Sequence, residues 1–133
     1  MKIKVYKNTL GDSSFYSIMG KYFAELKYEK ELPYLNNKKN DVWFLAFNNN
    51  KLIGFMTINE TKNKVKLKHI YEEEKDTHKK IGKYILKYIE NNISNKTLEL
   101  VTHNKLFKNW YLKQGFNVYR ETKNYYFMRK DVK

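Results

Sequence analysis

Two apolar runs separated by four polar residues restrict the fold of this chain more than any other feature. "VWFLAF" at 42–47 and "LIGFMTI" at 52–58 flank "NNNK" at 48–51. Both runs are continuous and β-prone, and a strand that is apolar at successive positions has to be covered on both faces. The polar tetrad turns the chain, so the two runs pair as a hairpin. Gly54 within the second run marks a bulge or the close approach of another segment.

The remaining elements fall around this hairpin. "KIKVY" at 2–6 alternates as a strand, and "GDSS" at 11–14 supplies a turn and an N-cap. A helix then runs from Phe15 to about Tyr28, with Phe15, Ile18, Met19, Tyr22, Phe23 and Leu26 on one stripe, and Pro33 prevents its continuation. "NNKKND" at 36–41 is a solvated loop. "KVKLKHIYE" at 64–72 is a third strand leading through the charged connection "EEKDTHKK" into a helix whose apolar face is Ile81, Tyr84, Ile85, Tyr88 and Ile89. "TLELVT" at 97–102 is a strand. "NKLFKNWYLKQ" forms a short helix with Gly115 as its C-cap, and "FNVYRE" and "YYFMRK" close the chain as a hairpin around "TKN". No repeat or linker divides this order, so residues 1–133 are expected to form one domain.

Composition narrows the chemistry. Twelve Tyr and eight Phe provide a bulky core. The absence of cysteine excludes disulfides, thiolate metal sites and a cysteine nucleophile. His69, His78 and His103 do not place two ligands on one helical face, so no metal is expected. The net charge of +13 suits an anionic partner such as a nucleic acid or a phosphate-rich cofactor. Arg120 and Arg129 are the only arginines among 27 basic residues, which argues against base-specific reading of DNA. A lysine-rich codon bias is the competing source of the charge. "MKIKVYKNTL" has no apolar core of a signal peptide and no stretch is long enough to span a bilayer, so a cytoplasmic protein without membrane association is expected.

A strand that delivers the chain to a helix N-terminus makes a general anion cradle. "YEEEKDTHKKIGKYILKYIE" has that arrangement, and it resembles the cofactor-binding segment of the GCN5-related N-acetyltransferases. That segment reads Arg or Gln, two residues, Gly, one residue, then Gly or Ala. Gly82 matches the last position; Thr77 and Lys80 stand where the family has Arg or Gln and the first Gly. The second resemblance lies in Asn104 followed by "WYLKQGF", which stands for the family's aromatic pair and Gly-aromatic helix end at Trp110, Tyr111, Gly115 and Phe116.

The resemblance implies a three-layer α+β fold, a mixed central sheet of six to seven strands with helices on both faces. Its two central parallel strands splay to admit acetyl-CoA. It implies cofactor contacts from Ile70, Tyr71 and Glu72 at the strand end, and from Thr77, His78, Lys79, Lys80, Ile81, Gly82 and Lys83 at the turn and helix start. Asn104 would contact the pantetheine arm, and Tyr111 would lie near the sulfur and protonate the departing thiolate. Lys79 or Lys80 can bind phosphate as a point charge. An amine acceptor must be neutral to attack, and Glu72 is the first candidate for the base, with Glu60 as the alternative. The implied activity is direct acetyl transfer to an amine on a small molecule or protein. Two other readings stay open: a phage-type relative that modifies DNA bases, served by lysines 62, 64, 66, 68, 79, 83 and 87 as a phosphate-tracking surface, and a non-catalytic module that binds nucleic acid or protein. The sequence does not name the amine or the oligomeric state.

Overall fold

The computed structural model describes residues 1–24, 35–73 and 77–132. Along the chain these form β1 (Lys2–Tyr6), α1 (Ser13–Ala24), β2 (Asp41–Asn48), β3 (Lys51–Glu60), β4 (Lys64–Glu72), α2 (Thr77–Asn92), β5 (Lys96–Thr102), α3 (Lys105–Lys113), β6 (Asn117–Glu121) and β7 (Tyr126–Val132). The expected run of the first helix on to Tyr28, its stop at Pro33, and Glu74 of the acidic run lie outside the described residues.

The strands make one seven-stranded sheet in the order β1-β2-β3-β4-β5-β7-β6. The expected hairpin of β2 and β3 lies inside it, with β1 and β4 as outer neighbours, and this is why both runs are apolar throughout. Alternation sends Trp43, Leu45 and Phe55 to one face, where they pack with Phe15, Met19 and Tyr22 of α1. Phe44, Met56 and Ile58 point to the other face and meet Ile81, Ile85 and Ile89 of α2 together with Tyr111 and Phe116. Helices thus cover both faces. Among the described residues no helix is long and apolar enough to cross a membrane.

Gly54 fills both roles foreseen for it. The β2–β3 register jumps from Ala46–Gly54 to Phe47–Leu52, so Ile53 is an extra residue beside it. A Cβ on Gly54 would lie 2.8 Å from the Tyr71 carbonyl oxygen and 2.7 Å from Thr77 Cγ2. The glycine therefore lets the start of α2 lie against the sheet, and a backbone oxygen cannot swing aside. Gly54→Ala is expected to destabilise the protein by about 1–3 kcal/mol in urea denaturation. Gly20→Ala in α1, where a Cβ meets nothing within 4 Å, should instead stabilise it by roughly 0.5–1 kcal/mol. Equal effects at the two positions would contradict the packing read here.

Candidate functional site

β4 and β5 are the parallel pair, and they separate. Their register comprises Lys64–Thr97, Val65–Leu98 and Lys66–Glu99, after which no pair joins them. The divergence has a local cause. On its other edge β4 pairs with β3 as Ile58–Leu67 and then Thr57–His69, leaving Lys68 as an extra, bulged residue. The bulge is pinned from outside the strand: Lys68 Nζ lies 2.6 Å from Asp41 Oδ2, and Asp41 is 2% exposed. Asp41 also accepts from Lys38 N at 2.8 Å and from Asn59 Nδ2 at 2.6 Å.

The splayed strand ends aim two helix N-termini at one place. At the end of β4, Glu72 Oε2 accepts from the His78 backbone N–H at 2.8 Å, so this carboxylate caps α2. At the end of β5, Asn104 Oδ1 accepts from Leu106 N at 2.8 Å and Phe107 N at 3.1 Å, capping α3. Between the helices lies a groove of about 460 Å³ with an apolar wall of Leu106, Phe107 and Trp110 and with Lys79 and Lys113 at its side. Glu72 and His78 border it as well.

Trp110 reaches α2 because Gly82 has no side chain: a Cβ there would stand 2.8 Å from Trp110 Cη2. In this chain the matching glycine is a helix-packing residue. Trp110 in turn lies edge-on to Tyr111 and His78. Tyr111 is fully buried, and its hydroxyl is 3.0 Å from His78 Nε2. His78 is 1% exposed and stacks on Phe107 with ring centroids 3.7 Å apart. Burial pushes the Tyr111 phenol above its ordinary value and lowers His78 to about 4, so both are neutral at neutral pH.

The expected site residues divide into groups. Glu72, His78 and Lys79 line the groove; Tyr111 is buried against His78 without lining it, and Asn104 serves as the N-cap of α3. Thr77, Ile81 and Gly82 are buried beneath the groove in the helix packing, and Ile70 is partly buried against the same core. Lys80 and Lys83 are exposed on α2. Tyr71 lies on the opposite face, packed on Phe55 and Tyr22. Glu60 sits where β4 and β5 are still joined and is bound to Lys96. Phe107, Lys113, Leu106 and Asn109 border the groove without having been singled out in the sequence. His78 had a legible signal, since it falls in step with Ile81, Ile85 and Ile89 on the apolar stripe of α2.

A larger hollow of about 660 Å³ lies at the other end of the strands, by Asp41, Glu60 and Lys96. Its carboxylates are bound to lysines, and it shares no lining residue with the groove between α2 and α3. The lysines considered for phosphate tracking do not share a surface. Val65 and Leu67 face the α2 side, so alternation puts Lys64 and Lys66 on the α1 side, away from Lys79, Lys83 and Lys87.

No family model matches the sequence, and no curated protein matches it. Solved structures do match over the whole chain. ElaA of Escherichia coli is 16% identical with a TM-score of 0.73, covering 98% of this chain and 99% of its own. The N-acetyltransferase PseH of Campylobacter jejuni, in complex with acetyl coenzyme A, is 20% identical with a TM-score of 0.65, covering 99% and 100%. The PaiA N-acetyltransferase of Thermoplasma acidophilum, in complex with coenzyme A, is 26% identical with a TM-score of 0.62, covering 98% and 99%. Such agreement along the full length, with one parallel pair splayed at the centre of a seven-stranded sheet, gives this chain the fold of the GCN5-related N-acetyltransferases.

Proposed function

We propose that the protein is an acyltransferase that moves an acetyl group from acetyl-CoA directly to an amine. The observation that carries this reading is the splay of β4 from β5 with a buried Tyr111–His78 pair and the α2 N-terminus at its mouth. The residues present fit the cofactor. An apolar wall with two lysines beside a helix N-terminus suits a phosphate-bearing molecule with a long thin arm, and Asn104 keeps its Nδ2 group as a donor to an amide along that arm. When bound, acetyl-CoA supplies the acetyl group as an activated thioester.

The chain's own groups then handle protons. In such a transfer the amine nitrogen would have to lose a proton and the departing sulfur would have to gain one, and the chain's own residues would have to supply both paths. Tyr111 holds a proton at its hydroxyl for the sulfur. A neutral phenol whose charged form is disfavoured by burial donates a hydrogen bond without ionising early. Glu72, with Oε2 on the helix cap, has Oε1 to take the proton of the amine.

Acetyl-CoA at about 100 times its dissociation constant should add roughly 2.7 kcal/mol to stability, read as a rise in melting temperature. Lys79→Glu combined with Lys113→Glu should weaken cofactor binding about tenfold, because the phosphates would meet carboxylates instead of ammonium groups. Lys80→Glu, outside the groove, should have the smaller effect. Absence of any shift with millimolar acetyl-CoA would reject the enzyme reading.

A further inference from the structure

Glu72 and Glu73 are neighbours in sequence and face opposite ways. Glu72 turns to the α2 side, where it caps the helix. Glu73, one residue past β4, turns to the α1 side. There the hydroxyls of Tyr22 from α1 and Tyr71 from β4 both donate to one oxygen, Glu73 Oε1, each at 3.3 Å. The rings of Tyr22, Tyr71 and Phe55 pack on one another with centroids 5.3 to 5.4 Å apart. The Glu73 backbone is fixed as well, since its N–H donates to the Ile53 carbonyl at 2.7 Å. This carboxylate differs from others around the sheet. Asp41 is bound to Lys68, Glu60 to Lys96, Glu99 to Lys64, and Glu72 to a helix amide. Glu73 is exposed; among the described residues no lysine binds it and its Oε2 accepts no hydrogen bond. In a chain of net charge +13, a carboxylate left without a lysine at the rim of an aromatic cluster suits a cation from outside. The rings already take one ammonium: Lys21 Nζ lies 5.0 Å from the centroid of the Tyr22 ring.

The position of Glu73 ties it to the splay. From Leu67 onward β4 has no partner on the β5 side, so the gap runs along the strand to the two glutamates. A molecule in that gap meets Glu72 on one face of the sheet and Glu73 on the other. The amine that attacks a thioester must be neutral, so it gains nothing from the charge of Glu73. A second amino group, still an ammonium, does. We propose that the acceptor is a cation carrying two amino groups, and that Glu73, held by Tyr22 and Tyr71 on the α1 side of the splay, binds the one that does not react. This rests on the acetyl-CoA reading of the site and adds the class of its acceptor. A nucleic acid would bring phosphates toward Glu73 instead and be repelled there.

The test uses linear amines as probes. Calorimetry first establishes whether the wild-type protein binds coenzyme A; no binding sinks the acetyl-CoA reading and this inference with it. Acetyl transfer is then followed by the release of free thiol. Per amino group, 1,4-diaminobutane and 1,6-diaminohexane should be used with a kcat/KM about fivefold above that of butylamine and hexylamine, the upper end for an exposed ion pair. Glu73→Gln keeps an oxygen for both tyrosine hydroxyls and removes only the charge. It should bring diamines and monoamines level, through a rise in KM for the diamines rather than a fall in kcat. Tyr71→Phe, which takes away one of the two donors that orient the carboxylate, should narrow the preference without abolishing it. In wild-type protein the preference should also shrink as salt rises, because the pair is open to solvent; this reading does not depend on how the variants fold. If coenzyme A binds but the diamines are used no better than the monoamines, or not at all, the inference is overturned and the acetyl-CoA reading stands alone. A preference that survives Glu73→Gln overturns it equally.

Discussion

Asp41→Ala is expected to destabilise the protein by about 3–5 kcal/mol, because it leaves the Lys68 ammonium in a buried site without its counter-charge. The Lys68 side chain is 12% exposed and that of Asp41 is wholly buried. The carboxylate also satisfies the Lys38 amide and the Asn59 side chain, so three donors lose an acceptor together. Asn36 Oδ1, 2.8 Å from Lys68 Nζ, remains as a neutral partner and cannot replace a charge. Asp41→Ala with Lys68→Met should recover most of the loss, since removing both members of a buried pair is far cheaper than removing one. Urea denaturation of both single variants and the double variant measures this. A loss below 1 kcal/mol for Asp41→Ala, or a double variant less stable than either single one, would show that water rather than Asp41 satisfies Lys68. Because Lys68 is the bulged residue of β4, the single variant should also weaken coenzyme A binding, as the bend that opens the splay loses its anchor.

Acid should destabilise the fold before the carboxylates titrate fully, and His78 is the main reason. In the unfolded chain an imidazole takes a proton near pH 6.5, but in the fold His78 does so only near 4, since burial penalises its charged form. Between those values the unfolded state binds more protons, so stability is complete above about 6.5 and declines as the pH falls toward 4. The loss is on the order of 3 kcal/mol for this residue. His69 is also lowered to about 4, first by burial, then by the Lys68 ammonium, with Asp41 opposing and Lys66 reinforcing. It acts in the same window with a smaller effect, because water screens its partly open site. Denaturant melts at pH 7, 5.5 and 4.5 should show the decline in wild type and a shallower one in His78→Phe. A His78→Phe profile parallel to wild type would place the acid sensitivity elsewhere.

The parts of this molecule that were legible in the sequence are those set by local pattern. The apolar β2 and β3 runs state that they are covered on both sides, and the spacing of Asn104 and Tyr111 survives as a helix with its N-cap and buried aromatic; the C-cap is Gln114 rather than Gly115, which follows it at φ +95°, the left-handed conformation that ends the helix. What was not legible depends on segments far apart in the chain meeting in space. The bulge at Lys68 is invisible in "KVKLKHIYE", whose alternation reads straight through it, because its anchor Asp41 is 27 residues away. The pairing of His78 with Tyr111 spans 33 residues and needs Phe107 and Gly82 to bring the helices together. Glu72 reads as a loop carboxylate in "EEE" until the position of α2 shows which amide it holds.

The three residue pairs that join β4 to β5 are also a mechanical statement. Within the one sheet the strands β1 to β4 form one block and β5, β7 and β6 another, and among the described residues the seam between them has fewer register pairs than any other. Two blocks so lightly sewn can open with separate free energies, so amide exchange should report two protection levels rather than one. A molecule lodged in the gap touches both blocks and becomes the missing length of seam. Its first effect on the protein would then be to merge two unfolding units into one.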